Sequence, residues 1–257
     1  MMRTLCAAAG CALLVSCADM PLFDTRPAAP AVRAPATLGG IYEGSISLPN
    51  GENTTVAIVA LDDGETRLVI ANGMQMNARL SGPLDRLRGS GRMFASNTSS
   101  KPADKTLANG STVAPVTLEA ALVPRMTITG SYSGSGGNGR FSARYLPLYE
   151  RDASLAKLAG TYRSYKQGSS FVGTIDRNGR LVGNDERGSY EGQLNVISPA
   201  INVYRARITY RPIGLAPITI TGLATLNDFE KNNDQSLLQM QLSNEERHFF
   251  SQIRRVR

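Results

Sequence analysis

From Leu38 onward the chain alternates short apolar or β-branched runs with Gly, Asn and Asp, the pattern of strands separated by tight turns. Residues 55–61 and 66–71 flank Asp62-Asp63-Gly64-Glu65, and residues 171–175 and 180–183 flank Asp176-Arg177-Asn178-Gly179. Each arrangement predicts a hairpin, because backbone positions with φ > 0 cost Gly nothing and Asn or Asp little. A last hairpin joins residues 237–242 to 248–256 through 243–247. The best helix candidate is short, around residues 153–158.

The two halves of this pattern look alike. Gly40-Ile41-Tyr42 opens the first and Gly160-Thr161-Tyr162 the second. Each is followed by an Asp/Gly hairpin, and later by Met126-Thr127-Ile128-Thr129-Gly130 or Ile218-Thr219-Ile220-Thr221-Gly222. The first half is the longer, and its surplus is placed in the polar, turn-rich stretch 95–114. The expectation is an all-β protein of two related antiparallel modules, 39–150 and 157–257, joined by a link at 151–156. Antiparallel strands without crossover helices form a small barrel or a sandwich, and a barrel leaves no open edge. The C-terminal strand, with Phe250 and Val256 among its apolar residues, is suited to closing the second module. A membrane-spanning barrel is disfavoured: the chain has no Trp for aromatic girdles, and charge interrupts its short strands.

The N-terminus changes the picture from a free domain to an anchored one. Arg3 precedes an uncharged apolar run, residues 5–15, too short to span a bilayer as a helix, as in a secretory leader. Within it Leu14-Val15-Ser16-Cys17 resembles the lipobox of bacterial lipoproteins. That resemblance implies diacylation of the Cys17 thiol, cleavage after residue 16 and acylation of the new amine. Several acyl chains give stable anchoring, at about 0.8 kcal/mol per buried CH₂. It also implies outer-membrane sorting, since Ala18 and not Asp follows the Cys, with Asp19 one place later. Residues 17–38 then form the anchor and an Ala/Pro-rich tether, whose prolines favour extended backbone. The three cysteines are Cys6, Cys11 and Cys17, so the exported domain would carry no disulfide, free thiol or cysteine metal site.

Charge separates the halves. Residues 39–150 hold 10 Lys/Arg against 9 Asp/Glu, whereas 157–257 hold 14 against 9. Arg205, Arg207, Arg211, Arg254, Arg255 and Arg257 contribute much of that excess. Guanidinium forks bind carboxylate and phosphate bidentately, so Arg205, Arg207, Arg211, Arg254 and Arg255 are the ligand-binding candidates; an ordinary solvated surface is the alternative. In an envelope the available anions are lipopolysaccharide phosphates, acidic glycans and phospholipid heads; nucleic acid is set aside by compartment.

Catalytic patterns are thin. His248 is the one histidine, and no G-x-S-x-G elbow or thiol accompanies it, so it is read as a surface or strand-end residue. Gly134-Ser135-Gly136-Gly137-Asn138-Gly139 spells G-x-G-x-x-G, but Arg140-Phe141-Ser142-Ala143-Arg144-Tyr145 follows it as a strand and not as a helix. Asp176-Arg177-Asn178-Gly179 starts like a calcium loop, yet Arg180 and Arg187 stand where oxygen ligands belong. Asp62-Asp63 and Glu245-Glu246 fall in turns. No cofactor and no metal site is expected. The leading expectation is a non-enzymatic envelope lipoprotein whose modules bind another envelope protein or an anionic glycan or lipopolysaccharide. A barrel-type carrier of a small or lipidic ligand, with Tyr42, Tyr162 and Phe171 facing a cavity, is the alternative, and a carboxylate-based hydrolase the third reading.

Overall fold

The computed structural model describes residues 37–96, 105–164, 170–228 and 234–256. The leader, Cys17, nearly all of the tether and Arg257 lie outside the described residues. The first eight strands are β1 (Gly40–Ser47), β2 (Asn53–Ala60), β3 (Glu65–Ile70), β4 (Gln75–Ser81), β5 (Leu87–Phe94), β6 (Val113–Val123), β7 (Thr127–Ser133) and β8 (Gly139–Leu146). Each pairs antiparallel with the next, and β8 returns to β1, with Ile46 opposite Phe141, to close a barrel. A 3₁₀ turn, Pro147–Glu150, and a one-turn helix α1, Leu155–Leu158, lead to the second set. That set is β9 (Gly160–Ser164), β10 (Val172–Ile175), β11 (Arg180–Asp185), β12 (Gly188–Val196), β13 (Tyr204–Pro212), β14 (Ile218–Asn227), β15 (Leu237–Ser243) and β16 (His248–Val256). It closes in the same way, with Ile253 of β16 opposite Ser164 of β9. The architecture is therefore two eight-stranded barrels. We call the end where the chain enters and leaves each barrel its lower end, and the opposite end its upper end.

Alternation builds the barrels. Along β6 every second residue, from Ala114 to Leu122, is buried and its neighbours face out. Strand closure as such follows the expectation, but the apolar residues that serve it differ. Phe249 and Ile253 of β16 face the core, whereas Phe250 and Val256 lie on the outward face.

The turns explain why the hairpins form where they do. Gly64 and Gly179 both have φ above +80° and each donates its N–H to the residue three back, Leu61 or Asp176. Their carbonyls accept from Leu80 of β4 and Leu194 of β12, at 2.9 and 2.8 Å. An added Cβ on either would meet that same leucine's carbonyl oxygen. Glycine is thus required twice over at both sites, by conformation and by close approach.

These equivalent contacts carry the repeat. Tyr42 and Tyr162 add to it, each donating its hydroxyl to the carbonyl four residues earlier, Leu38 or Leu158. The Thr-Ile-Thr-Gly match does not: residues 127–130 lie in the seventh strand of one barrel and 219–222 in the sixth strand of the other. β-Branched strand chemistry recurs there without structural equivalence. The surplus of the first half is the β5–β6 connection, residues 95–112, whose counterpart between β13 and β14 is only 213–217.

The barrels pack side by side within one compact unit. Ile41, Val59, Leu61 and Tyr149 meet Val203 and Leu223 in an apolar cluster. Farther along the seam Glu65 lies between Arg67, at 3.2 Å, and Arg205, at 2.7 Å. Arg67 and Asn77 both donate to Ser243 Oγ at 2.8 Å. The residues between β8 and β9 are held as well: Arg151 grips Asp228 bidentately, and Ala153 N–H donates to Pro199.

Candidate functional site

The two barrels differ in what fills them. In the first, Tyr42, Ile46, Ile58, Leu68, Leu118, Tyr132 and their neighbours pack one continuous core. Its upper end is stoppered by Leu107, which comes from the long β5–β6 connection and is only 5% exposed. Ala108 N–H donates to the Gly136 carbonyl, and the backbone of Gly136 passes so close to Leu107 and Met93 that a side chain there would collide with them. Leu107, in the described part of the surplus segment, is thus the plug of the first barrel.

Among the described residues, which leave out 165–169 of the β9–β10 connection, the second barrel is shut at its lower end and open at its upper end. Below, Leu158 of α1 and Tyr162 are fully buried, and Tyr204 Oη donates to the Ser154 carbonyl. Above, a cavity of about 350 Å³ opens among Phe171, Tyr190, Tyr210 and Phe249, floored by Leu181, Ile208 and Met240. Glycines make the room. Gly173 and Gly183 face each other across β10 and β11, and the ring of Phe171 lies over both. Tyr190 stacks on Tyr210 with ring centroids 4.6 Å apart and meets Phe171 edge-on at 5.4 Å. Its hydroxyl donates to Asp185 Oδ2 at 2.7 Å. Burial first, and then this carboxylate, push the Tyr190 phenol far above its usual range, so it stays a neutral donor. Ser164, Ser251, Asp185 and Arg187 supply the polar groups of the rim. An apolar, aromatic interior with a few convergent polar groups at its mouth is the form of a small-molecule site.

The expected cavity residues therefore separate. Tyr42 and Tyr162 fill closed ends, while Phe171 lines the open mouth. Tyr190, Tyr210, Phe249, Asp185 and Ser251 join it without having been singled out from sequence. The available signal was the set of glycines at alternate, inward strand positions beside aromatics, as in Tyr190-Glu191-Gly192.

The arginine candidates do not form one site. Arg205 is committed to Glu65 at the seam, and Arg211 lies 3.9 Å from Glu191. Arg207 shares their outward face on β13. Arg254 is exposed on β16, and Arg255, partly buried, donates to the Gln235 carbonyl at 2.6 Å. His248 is at a strand end but not at the surface: it is buried in the seam, with Nε2 3.0 Å from the Gly73 carbonyl and its ring beside Phe94. Burial holds its imidazole below the ordinary value of 6.5.

Asp63 and Asp176 serve their own turns, whereas Asp62 ties its turn to the start of the first barrel. Asp62 accepts from Gly39 N–H, Asp63 from Glu65 N–H, and Asp176 from Asn178 and Arg180 N–H. The glycine-rich run 134–139 is the β7–β8 hairpin. Among the described residues no group of three or more His, Asp or Glu side chains is placed to hold a metal ion. No helix of the described residues is long and apolar enough to cross a membrane.

The fold and site define a class, a double eight-stranded barrel in which, among the described residues, one interior is sealed and the other open. No protein-family model, curated protein or solved structure matches the chain.

Proposed function

We propose that this is a non-enzymatic, lipid-anchored envelope protein whose second barrel binds a small, largely apolar ligand through its open upper end. The first barrel serves as a sealed scaffold beside it. The observation that carries this reading is the contrast between two related interiors. One is plugged by Leu107, and the other keeps an aromatic-lined cavity of about 350 Å³. A chain that only needed a second stable barrel would gain by filling it, since each unfilled methylene-sized gap costs about 1 kcal/mol. The size suits a ring system or a short acyl chain, with its polar end at Asp185, Arg187 and the serines.

The test is titration with N-phenyl-1-naphthylamine, an uncharged aromatic probe whose emission rises in apolar surroundings. The full chain should take it up saturably, and Ser251→Phe, which fills the mouth from β16, should weaken uptake at least about tenfold while leaving unfolding unchanged. Equal uptake by both proteins would contradict the reading.

A further inference from the structure

The strand hairpin that rims the open mouth ends in an unusual tip. The β13–β14 turn, Pro212-Ile213-Gly214-Leu215, exposes Ile213 by 77% and Leu215 by 74%, more than any other large hydrophobic side chain among the described residues. The turn is fixed and not a loose loop. Leu215 N–H donates to the Pro212 carbonyl, Gly214 has φ +74°, and Ile213 N–H donates to the Arg187 carbonyl at 2.9 Å. Val172, 40% exposed, stands at the same upper end where β10 begins. Behind the tip the outward face of β13 carries Arg211 and, farther along, Arg207, while Arg205 beyond them is taken up by Glu65 in the seam, and exposed Arg187 sits on the adjoining turn. Glu186 and Glu191 oppose them, the latter already shared by Arg180 and Arg211.

Two large aliphatic side chains held out on a rigid turn, with guanidinium groups one strand pitch behind, match the layering of an anionic bilayer. The acyl boundary takes the aliphatic tip, and the phosphates meet the arginines. We propose that the upper end of the second barrel docks on an anionic phospholipid surface by inserting Ile213 and Leu215, with Arg187 and Arg211 at headgroup depth. This contact is separate from any acyl anchor at Cys17, and it turns the open mouth toward the membrane.

The absence of tryptophan makes the proposal easy to test. Leu215→Trp places a single fluorophore on the tip. Met126→Trp places one on the β6–β7 turn at the lower end of the first barrel, where Met126 is itself 63% exposed. Each full-length variant is mixed with vesicles of phosphatidylethanolamine and phosphatidylglycerol, with or without brominated acyl chains. The expected result is a blue shift and bromine quenching for the Leu215→Trp chain and neither for the Met126→Trp chain. Ile213→Ser with Leu215→Ser, added to a Cys17→Ser chain, should lower its vesicle partitioning by about tenfold or more. An unchanged emission from position 215, an equal response from both positions, or a response from 126 alone would each overturn the proposal. All three sites are exposed, so folding is not at stake.

Discussion

Gly64 and Gly179 show how much one residue can decide. Replacing either by Ala puts a Cβ at positive φ and against the Leu80 or Leu194 carbonyl. Each substitution should cost about 1–3 kcal/mol, read as a lower urea midpoint at unchanged slope. Both glycines were legible as turn formers from Asp-Asp-Gly and Asn-Gly. Their second duty, the close pass of the next strand, was not, because it depends on which backbone lies beneath the turn. His248 stands at the strand end expected of it, but its burial was not legible for a related reason: nothing local marks the first residue of a strand as part of a seam. Its ring stays neutral in the folded chain at a pH where the unfolded chain already binds a proton. Stability should therefore fall as pH drops below about 6.5, levelling off only below the depressed folded value. His248→Gln should flatten that part of the profile in denaturation curves taken between about pH 7.5 and 5.

At the scale of elements, the β5–β6 connection decides the character of the first barrel. Leu107→Ala should lose about 2–4 kcal/mol and admit the aromatic probe to an interior that excludes it in the native chain. A loss below about 0.5 kcal/mol, with no new uptake, would show that the connection is not a stopper. The surplus residues were located correctly in sequence, but a polar, turn-rich stretch gives no sign that one buried leucine turns back into the barrel. The seam is a second element-scale feature. β3 and β15 lose the alternation that β6 keeps, since both of their faces are covered. Arg67, buried among Glu65, Ser243 and the second barrel, is its polar centre, and burial lowers its pKa against the pull of Glu65. Arg67→Ala leaves Glu65 with Arg205 alone and should destabilise the pair of barrels by about 1–3 kcal/mol.

Across the whole molecule, the all-β class, antiparallel order and the division into two related halves could be read from turn chemistry and the Gly-x-Tyr openings, whereas the number of strands could not. Closure into barrels could be weighed but not decided, because alternation is the same in a barrel and a sandwich. The mouth was least legible: Tyr190, Tyr210 and Phe249 lie on three different strands and Phe171 just ahead of a fourth, and they converge only when the sheet closes. The arginine excess pointed to anions in general, yet the structure divides it among the seam, the outer face of β13 and the end of β16. Two barrels built from one plan thus differ chiefly in whether the upper end is plugged. That difference is the core of the functional account. Its most direct test is the alkylation rate of a thiol introduced by Ser251→Cys, inside the mouth, against one introduced by Ser189→Cys, on the outer face of β12. Saturating N-phenyl-1-naphthylamine should slow reaction at position 251 about tenfold or more and leave position 189 unchanged. Equal rates at position 251 with and without the probe would contradict a ligand site in the second barrel.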